Sequence, residues 1–71
     1  MSESSNIVIE NLCGKYGICV DPSIYKLTKM GTHDMVINGK WRQDVYFYFR
    51  SLDNREVLIW LEDAYIDEFQ Q

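Results

Sequence analysis

The stretch DVYFYFRSLDNREVLIWLED, Asp44 to Asp63, is apolar or aromatic at nearly every second position and again at several positions between. A strand with one buried and one wet face alternates apolar with polar residues. Here Val45, Phe47 and Phe49 alternate with Tyr46 and Tyr48, so both sets are bulky. Ser51-Leu52-Asp53-Asn54-Arg55 interrupts the run with turn-forming residues, which splits it into a strand from about Lys40 to Arg50 and another from Glu56 to Leu61.

Just upstream, MVINGKWR (Met35–Arg42) fixes the register. Asn38-Gly39 between alternating apolar residues is the strongest short hairpin signal, because both central residues of a type I′ turn need positive φ. Ile37 then faces Lys40, Val36 faces Trp41 and Met35 faces Arg42. With the next turn centred on Asp53, the spacing predicts a three-stranded antiparallel meander. One face carries Trp41, Val45, Phe47 and Phe49 opposite Val36, Leu61, Ile59 and Val57. It has no charge and reads as the core face.

The second face carries Arg42, Asp44, Tyr46, Tyr48 and Arg50, opposite Met35 and His33 on one side and Trp60, Leu58 and Glu56 on the other. Arg50 and Glu56 form a rim ion pair worth about 0.2–1 kcal/mol. The centre, Tyr46/Trp60 beside Tyr48/Leu58, would expose on the order of several hundred Å² of apolar surface if left in water. Three coverings answer this. The C-terminal segment with Tyr65, Ile66 and Phe69 folds over it, the sheet closes into a barrel, or the face receives a partner. Tyr, Trp and Arg are the residues enriched in binding hot spots.

SSNIVIENLCGKYGI (Ser4–Ile18) reads as a helix, with Val8, Ile9, Leu12, Cys13 and Tyr16 on one stripe. Ser4 or Ser5 is the expected N-cap, Gly17 the C′ residue, and Ile18 packs back on Cys13 in a Schellman ending. The β-branched run Ile7-Val8-Ile9 is compatible with a strand instead. DPSIYKLTKMG (Asp21–Gly31) has the punctuation of a second, short helix, with Asp21 as N-cap, Pro22 at N1 and Gly31 at C′. Tyr25, Leu27 and Lys29 also alternate as in a strand. DAYIDEF, behind Asp63 as a cap, suits a short C-terminal helix.

The expected fold class is therefore α+β: one or two N-terminal helices on a three-stranded antiparallel β-meander, closed by a short C-terminal helix. A small all-β, SH3-like barrel is the alternative. The 71 residues make one small domain, with 1–5 and 70–71 expected to be loose at its ends. At 46% hydrophobic and 14% aromatic, the chain has enough burial per residue to fold despite its size.

The net charge of −4 is uneven: residues 11–50 hold six bases against three acids, and residues 51–71 hold Arg55 against six acids. A sequence pI near 4.7 argues against a general nucleic-acid binder. The opening MSESSNIVIENL has no basic segment followed by a long apolar core, and nothing approaches a membrane span, so a cytoplasmic setting is expected. Cys13 and Cys19 then read as reduced thiols. Their five-residue gap is not that of a structural zinc site, and no fourth ligand accompanies them and His33. His33 reads as a surface histidine. No nucleophile elbow or phosphate loop occurs, so no enzymatic activity, metal or cofactor is expected.

The functional expectation is a small acidic protein-binding regulator or inhibitor, of the size and charge common among phage and mobile-element modulators. It would act by occupying the surface of another protein or by associating with a second copy. Its expected anchors are Arg42, Tyr46, Tyr48, Arg50, Leu58 and Trp60, with Glu62, Asp63, Asp67 and Glu68 as an electrostatic rim. Asp63 and Asp67 would share one side of the C-terminal helix. The alternative is single-stranded nucleic acid stacked on the tyrosines, steered by Lys15, Lys26, Lys29, Lys40, Arg42 and Arg50.

Overall fold

The computed structural model describes residues 2–70, with side chains from Asn6 onward. An N-terminal helix α1 (Ser2–Tyr16) precedes three strands, β1 (Tyr25–Ile37), β2 (Lys40–Ser51) and β3 (Glu56–Leu61), and a 3₁₀ turn at Ile66–Phe69. The strands form one open antiparallel sheet in the order β1-β2-β3. The class is α+β.

The Asn38-Gly39 turn, with φ of 53° and 77°, sets Ile37, Val36 and Met35 opposite Lys40, Trp41 and Arg42. On the other side of β2, Val45, Phe47 and Phe49 pair with Leu61, Ile59 and Val57, while Tyr46, Tyr48 and Arg50 pair with Trp60, Leu58 and Glu56. Asn54 takes φ 69°, and its amide donates to the Ser51 carbonyl at 3.1 Å, closing the second hairpin. Ser51 Oγ accepts from the Arg55 amide at 3.0 Å and also bonds Asp53.

The expected second helix is a strand. Asp21 does act as a cap, its carboxylate accepting from the Ser23 amide and hydroxyl at 2.9 and 2.7 Å. The Ile24 and Tyr25 amides donate to the Asp21 carbonyl at 3.1 and 3.0 Å, and the turn then stops. Beyond it, Tyr25 and Leu27 pair with Ser51 and Phe49, extending β1 along an otherwise unpaired edge of β2. Tertiary pairing thus overrides a local helix signal. A register shift between Leu27 and Lys29 marks a bulge at Thr28.

α1 lays Val8 and Leu12 on the sheet, with Tyr16 partly buried at its end. Val45, Phe47, Phe49 and Leu61 from the sheet and Ala64 and Phe69 from the tail complete the core. The Phe69 ring meets Phe47 edge-on at 4.9 Å and stacks on Tyr16 at 5.9 Å. Each fully buried phenylalanine contributes roughly 1.5–3 kcal/mol. Trp41, expected on the core face, lies in line with these residues but is 75% exposed, beside a hollow it shares with Tyr65 of the tail.

Helix α1 ends at Gly17, φ 72°, whose amide donates to the Cys13 carbonyl at 3.2 Å. The Ile18 amide reaches the Leu12 carbonyl at 2.9 Å, one residue further back than a Schellman ending requires. The helix starts at Ser2, ahead of Ser4 and Ser5, and the side chains of that expected cap lie outside the described residues. Cys13 and Cys19 are joined in a disulfide, not reduced. The reversal at Gly17 returns Cys19 to the last helical turn, with the two Cα atoms 4.3 Å apart. No described helix is long and apolar enough to cross a membrane.

The C-terminal helix is shorter than expected. Asp63 does not cap it; it adopts φ 57° in a turn, and only Ile66–Phe69 coil. Asp63 and Asp67 therefore share no helical side. The Ala64 amide donates to the Gln43 carbonyl at 2.9 Å and the Ile66 amide to Gln43 Oε1 at 3.0 Å. Asn11 Nδ2 donates to the Glu68 carbonyl at 2.5 Å, and Glu68 Oε1 accepts from Lys15 and Tyr16 at 2.8 and 2.7 Å. These bonds carry the tail onto the core face beside α1, and not over the second face.

Candidate functional site: the open face of the sheet

Tyr46, Tyr48, Leu58 and Trp60 come together on the face turned away from the helix and tail. Leu58 is 50% and Trp60 44% exposed, while both tyrosines are half-buried by their neighbours. Tyr46 and Trp60 stack at 5.6 Å with 16° between planes, and Tyr48 meets Tyr46 edge-on at 5.9 Å. His33 also lies tilted against Trp60, with ring centroids 5.7 Å apart. Across the first hairpin Tyr46 lies over Gly31, where a Cβ would collide with the tyrosine ring and hydroxyl. The missing side chain is what lets the ring lie flat.

Two residues complete this face. Asp44 is buried, and its carboxylate accepts from Arg42 Nε and Nη2 at 3.0 and 3.3 Å, Trp60 Nε1 at 3.0 Å and the Asp63 amide at 3.0 Å. The Asp63 amide, foremost, with the Trp60 indole and the Arg42 guanidinium, holds the Asp44 carboxyl below its ordinary range despite burial. The sequence signal for this hub is an acid mid-strand with an arginine two positions away on the same face.

The other residue is Lys29, whose Nζ stands 5.9 Å from the centroids of both Tyr46 and Tyr48, at cation–π distance. Its position follows from the Thr28 bulge, which simple alternation cannot place. A shallow hollow of about 360 Å³ lies between Thr28, Lys29, Tyr48 and Glu56.

The remaining expected anchors divide. Arg42 shares the face but is committed to Asp44 and to Met35 Sδ, 3.3 Å from Nη2. Arg50 pairs with Glu56 at 3.3 Å at the exposed end. Glu62 and Asp63 are exposed where β3 ends. Glu68 belongs to the opposite layer. Its carboxyl is held below its ordinary range by hydrogen bonds from Lys15 first and then Tyr16, so it is spent on the tail and contributes no rim. Asp67 is exposed beside it, and the four acids do not form one continuous border.

The face offers flat aromatic surface, Lys29 beside it and a preset geometry, which suit adhesion to another molecule. The disulfide takes both cysteines, and His33 stands on the open face, so these three residues do not converge. Among the described residues no three of His, Cys, Asp and Glu gather as a metal site would require. Comparison with protein-family models, curated proteins and solved structures returns no match to this chain.

Proposed function

We propose that this chain is a non-enzymatic protein-binding module, a small regulator or inhibitor that docks through the open sheet face onto another protein. The observation that carries this reading is the ordered, uncovered aromatic group Tyr46, Tyr48 and Trp60 with Leu58, flanked by Lys29. Rigid aromatic side chains lose little freedom on binding, and here their rotamers are already fixed by stacking and by Asp44. Tyr48 and Lys29 are the residues to test. Replacing Trp60 would also strip a donor from buried Asp44 and confuse docking with folding.

Affinity capture with the full chain, followed by identification and titration of the captured protein, tests the proposal. The Lys29→Thr/Tyr48→Thr variant, a cross-strand pair that a sheet accommodates, is expected to keep the wild-type circular dichroism and to weaken binding on the order of 100-fold, as two hot-spot losses would. A folded variant that binds as tightly as the wild type refutes the role of this face.

Single-stranded nucleic acid is the second reading, favoured by Lys29 over the two tyrosine rings. Its expected basic track is thin, because Arg42, Arg50 and Lys15 already pair with Asp44, Glu56 and Glu68. Binding of a single-stranded oligonucleotide with a steep negative salt slope would favour it over protein docking.

A further inference from the structure

β3 is exposed in three directions at once. Its open-face residues Leu58 and Trp60 are exposed; on the core face Val57 is 37% exposed and Ile59 only half-covered. Among the described residues no strand neighbours its outer edge. A hollow of about 390 Å³ beneath it, lined by Ile18, Val20, Tyr25, Phe49, Val57 and Ile59 among others, shows that the helix leaves this end of the core face uncovered. The chain leaves β3 by turning at Asp63 towards Gln43 of β2, so the tail lies away from the edge.

The two edges of the sheet differ in kind. β1 is guarded by Lys26, Lys29 and the Thr28 bulge, devices that discourage strand addition. β3, Glu56-Val57-Leu58-Ile59-Trp60-Leu61, has no lysine, proline or bulge. The Ser51 amide donates to the Arg55 carbonyl at 2.8 Å. Alternation along the ladder then turns the backbone groups of Val57, Ile59 and Leu61 towards β2 and those of Glu56, Leu58 and Trp60 outwards.

We infer that β3 is a homodimerisation edge, pairing antiparallel with β3 of a second copy about a two-fold axis through Leu58 to make one six-stranded sheet. That register matches outward-facing Leu58 with Leu58 and Glu56 with Trp60. On the core face it places Val57 beside Ile59 of the other copy, giving unbroken rows Phe47-Ile59-Val57-Phe49 with no charge. On the open face the rows read Tyr46-Trp60-Glu56-Arg50 and Tyr48-Leu58-Leu58-Tyr48, with no like charges opposite.

A shift of one residue in the axis, to Ile59, sets Glu56 against Glu62 at both ends, and like charges directly opposite oppose pairing. Charge thus favours the Leu58 axis over the Ile59 axis, and self-complementarity selects a second copy over an unrelated strand. A stable interface needs roughly 800 Å² per partner, under a fifth of the 5073 Å² surface. The tyrosine face stays free and is doubled, so this pairing does not rest on the docking function proposed above.

Sedimentation velocity of the full chain across concentration, with amide exchange, tests the edge. The wild type is expected to sediment at twice the 8.4 kDa chain mass and to show Leu58 and Trp60 amides whose protection grows with concentration. Leu58→Pro removes an outward amide that β2 does not use, and Val57→Lys places a charge in the apolar row without altering the backbone. Each is expected to raise the dimer dissociation constant at least about 50-fold while retaining the monomer's circular dichroism. A wild type that remains monomeric to millimolar concentration overturns the inference. So does a dimer that a folded Val57→Lys chain retains, or one with freely exchanging Leu58 and Trp60 amides. Lys29→Thr/Tyr48→Thr leaves the edge intact, so undiminished partner capture by that variant in a chain that still dimerises is a failure of the docking reading alone.

Discussion

Four donor contacts converge on the Asp44 carboxylate, from two atoms of Arg42, the Trp60 indole and the Asp63 amide. A carboxylate in this position costs solvation that only a full set of partners offsets. Its return is geometric: the same group fixes the Trp60 ring on the open face and the turn that sends the tail to the core face. Asp44→Ala leaves Arg42 without its counter-ion and the indole without its acceptor. We expect a fall in Tm on the order of 10 °C. We also expect a red-shifted emission from Trp60, read in a Trp41→Phe background because Trp41 is already exposed. A variant with unchanged Tm and emission would show that Trp60 is held by Tyr46 and His33 alone.

The junction after α1 shows how a short element is held at its end. Gly17 reverses the chain, the Cys13 and Leu12 carbonyls accept from the residues beyond, and the Cys13–Cys19 bond closes the same loop. Two layers of restraint act on one turn, so removing the covalent one leaves the hydrogen-bonded one. Closing so small a loop contributes about 2 kcal/mol through the unfolded chain. The Cys13→Ser/Cys19→Ser variant, and the wild type under reductant, should therefore both melt about 10 °C lower with unchanged helix content by circular dichroism. Loss of the helix, or no shift at all, would contradict this. The junction also marks where sequence reading fails. The β-hairpin registers were legible because Asn38-Gly39 and the turn at Asp53 fix parity locally. The disulfide was not, although the reversal at Gly17 that closes it is local, because reduced thiols follow from the expected cytoplasmic setting and not from the spacing. The start of β1, from Tyr25, differs from the expected helix for a different reason: the cap chemistry at Asp21 is helical, and only the edge of β2 makes extension better. The aromatic cluster was visible as a face, but its freedom from the tail was not. That freedom rests on Asn11, Gln43 and Glu68, none of which announces its long-range partner.

The molecule is closed by its tail, and the tail is fastened at two points by carboxylates. Asp44 holds the Asp63 amide at the sheet, and Glu68 holds Lys15 and Tyr16 at the helix. Ala64, just after the first fastening point, and Phe69, just after the second, are both buried in the core. Both carboxyls ionise more readily in the folded chain, chiefly through the Asp63 amide for Asp44 and the Lys15 bond for Glu68, so their folded pKa values lie below the ordinary 3.8 and 4.5. Their stabilisation is complete above those ordinary values and is lost as pH falls through the lower folded ones. Tyr16 runs the other way. Its hydrogen bond to Glu68, with burial and the Glu68 charge, pushes its pKa from 10.0 up to about 12, so stability holds below 10.0 and declines as pH rises towards 12. The fold should thus be most stable on a plateau from about pH 5 to 9, with both flanks reporting tail attachment. Glu68→Gln distinguishes the two fasteners. It keeps an acceptor for Tyr16 but removes the charge, so urea midpoints measured from pH 3 to 11 should show a shallower alkaline decline, while the acid decline due to Asp44 persists. An alkaline flank unchanged in Glu68→Gln would mean that the Glu68 charge adds nothing to the Tyr16 shift, and that the hydrogen bond and burial alone tie Tyr16 ionisation to the tail.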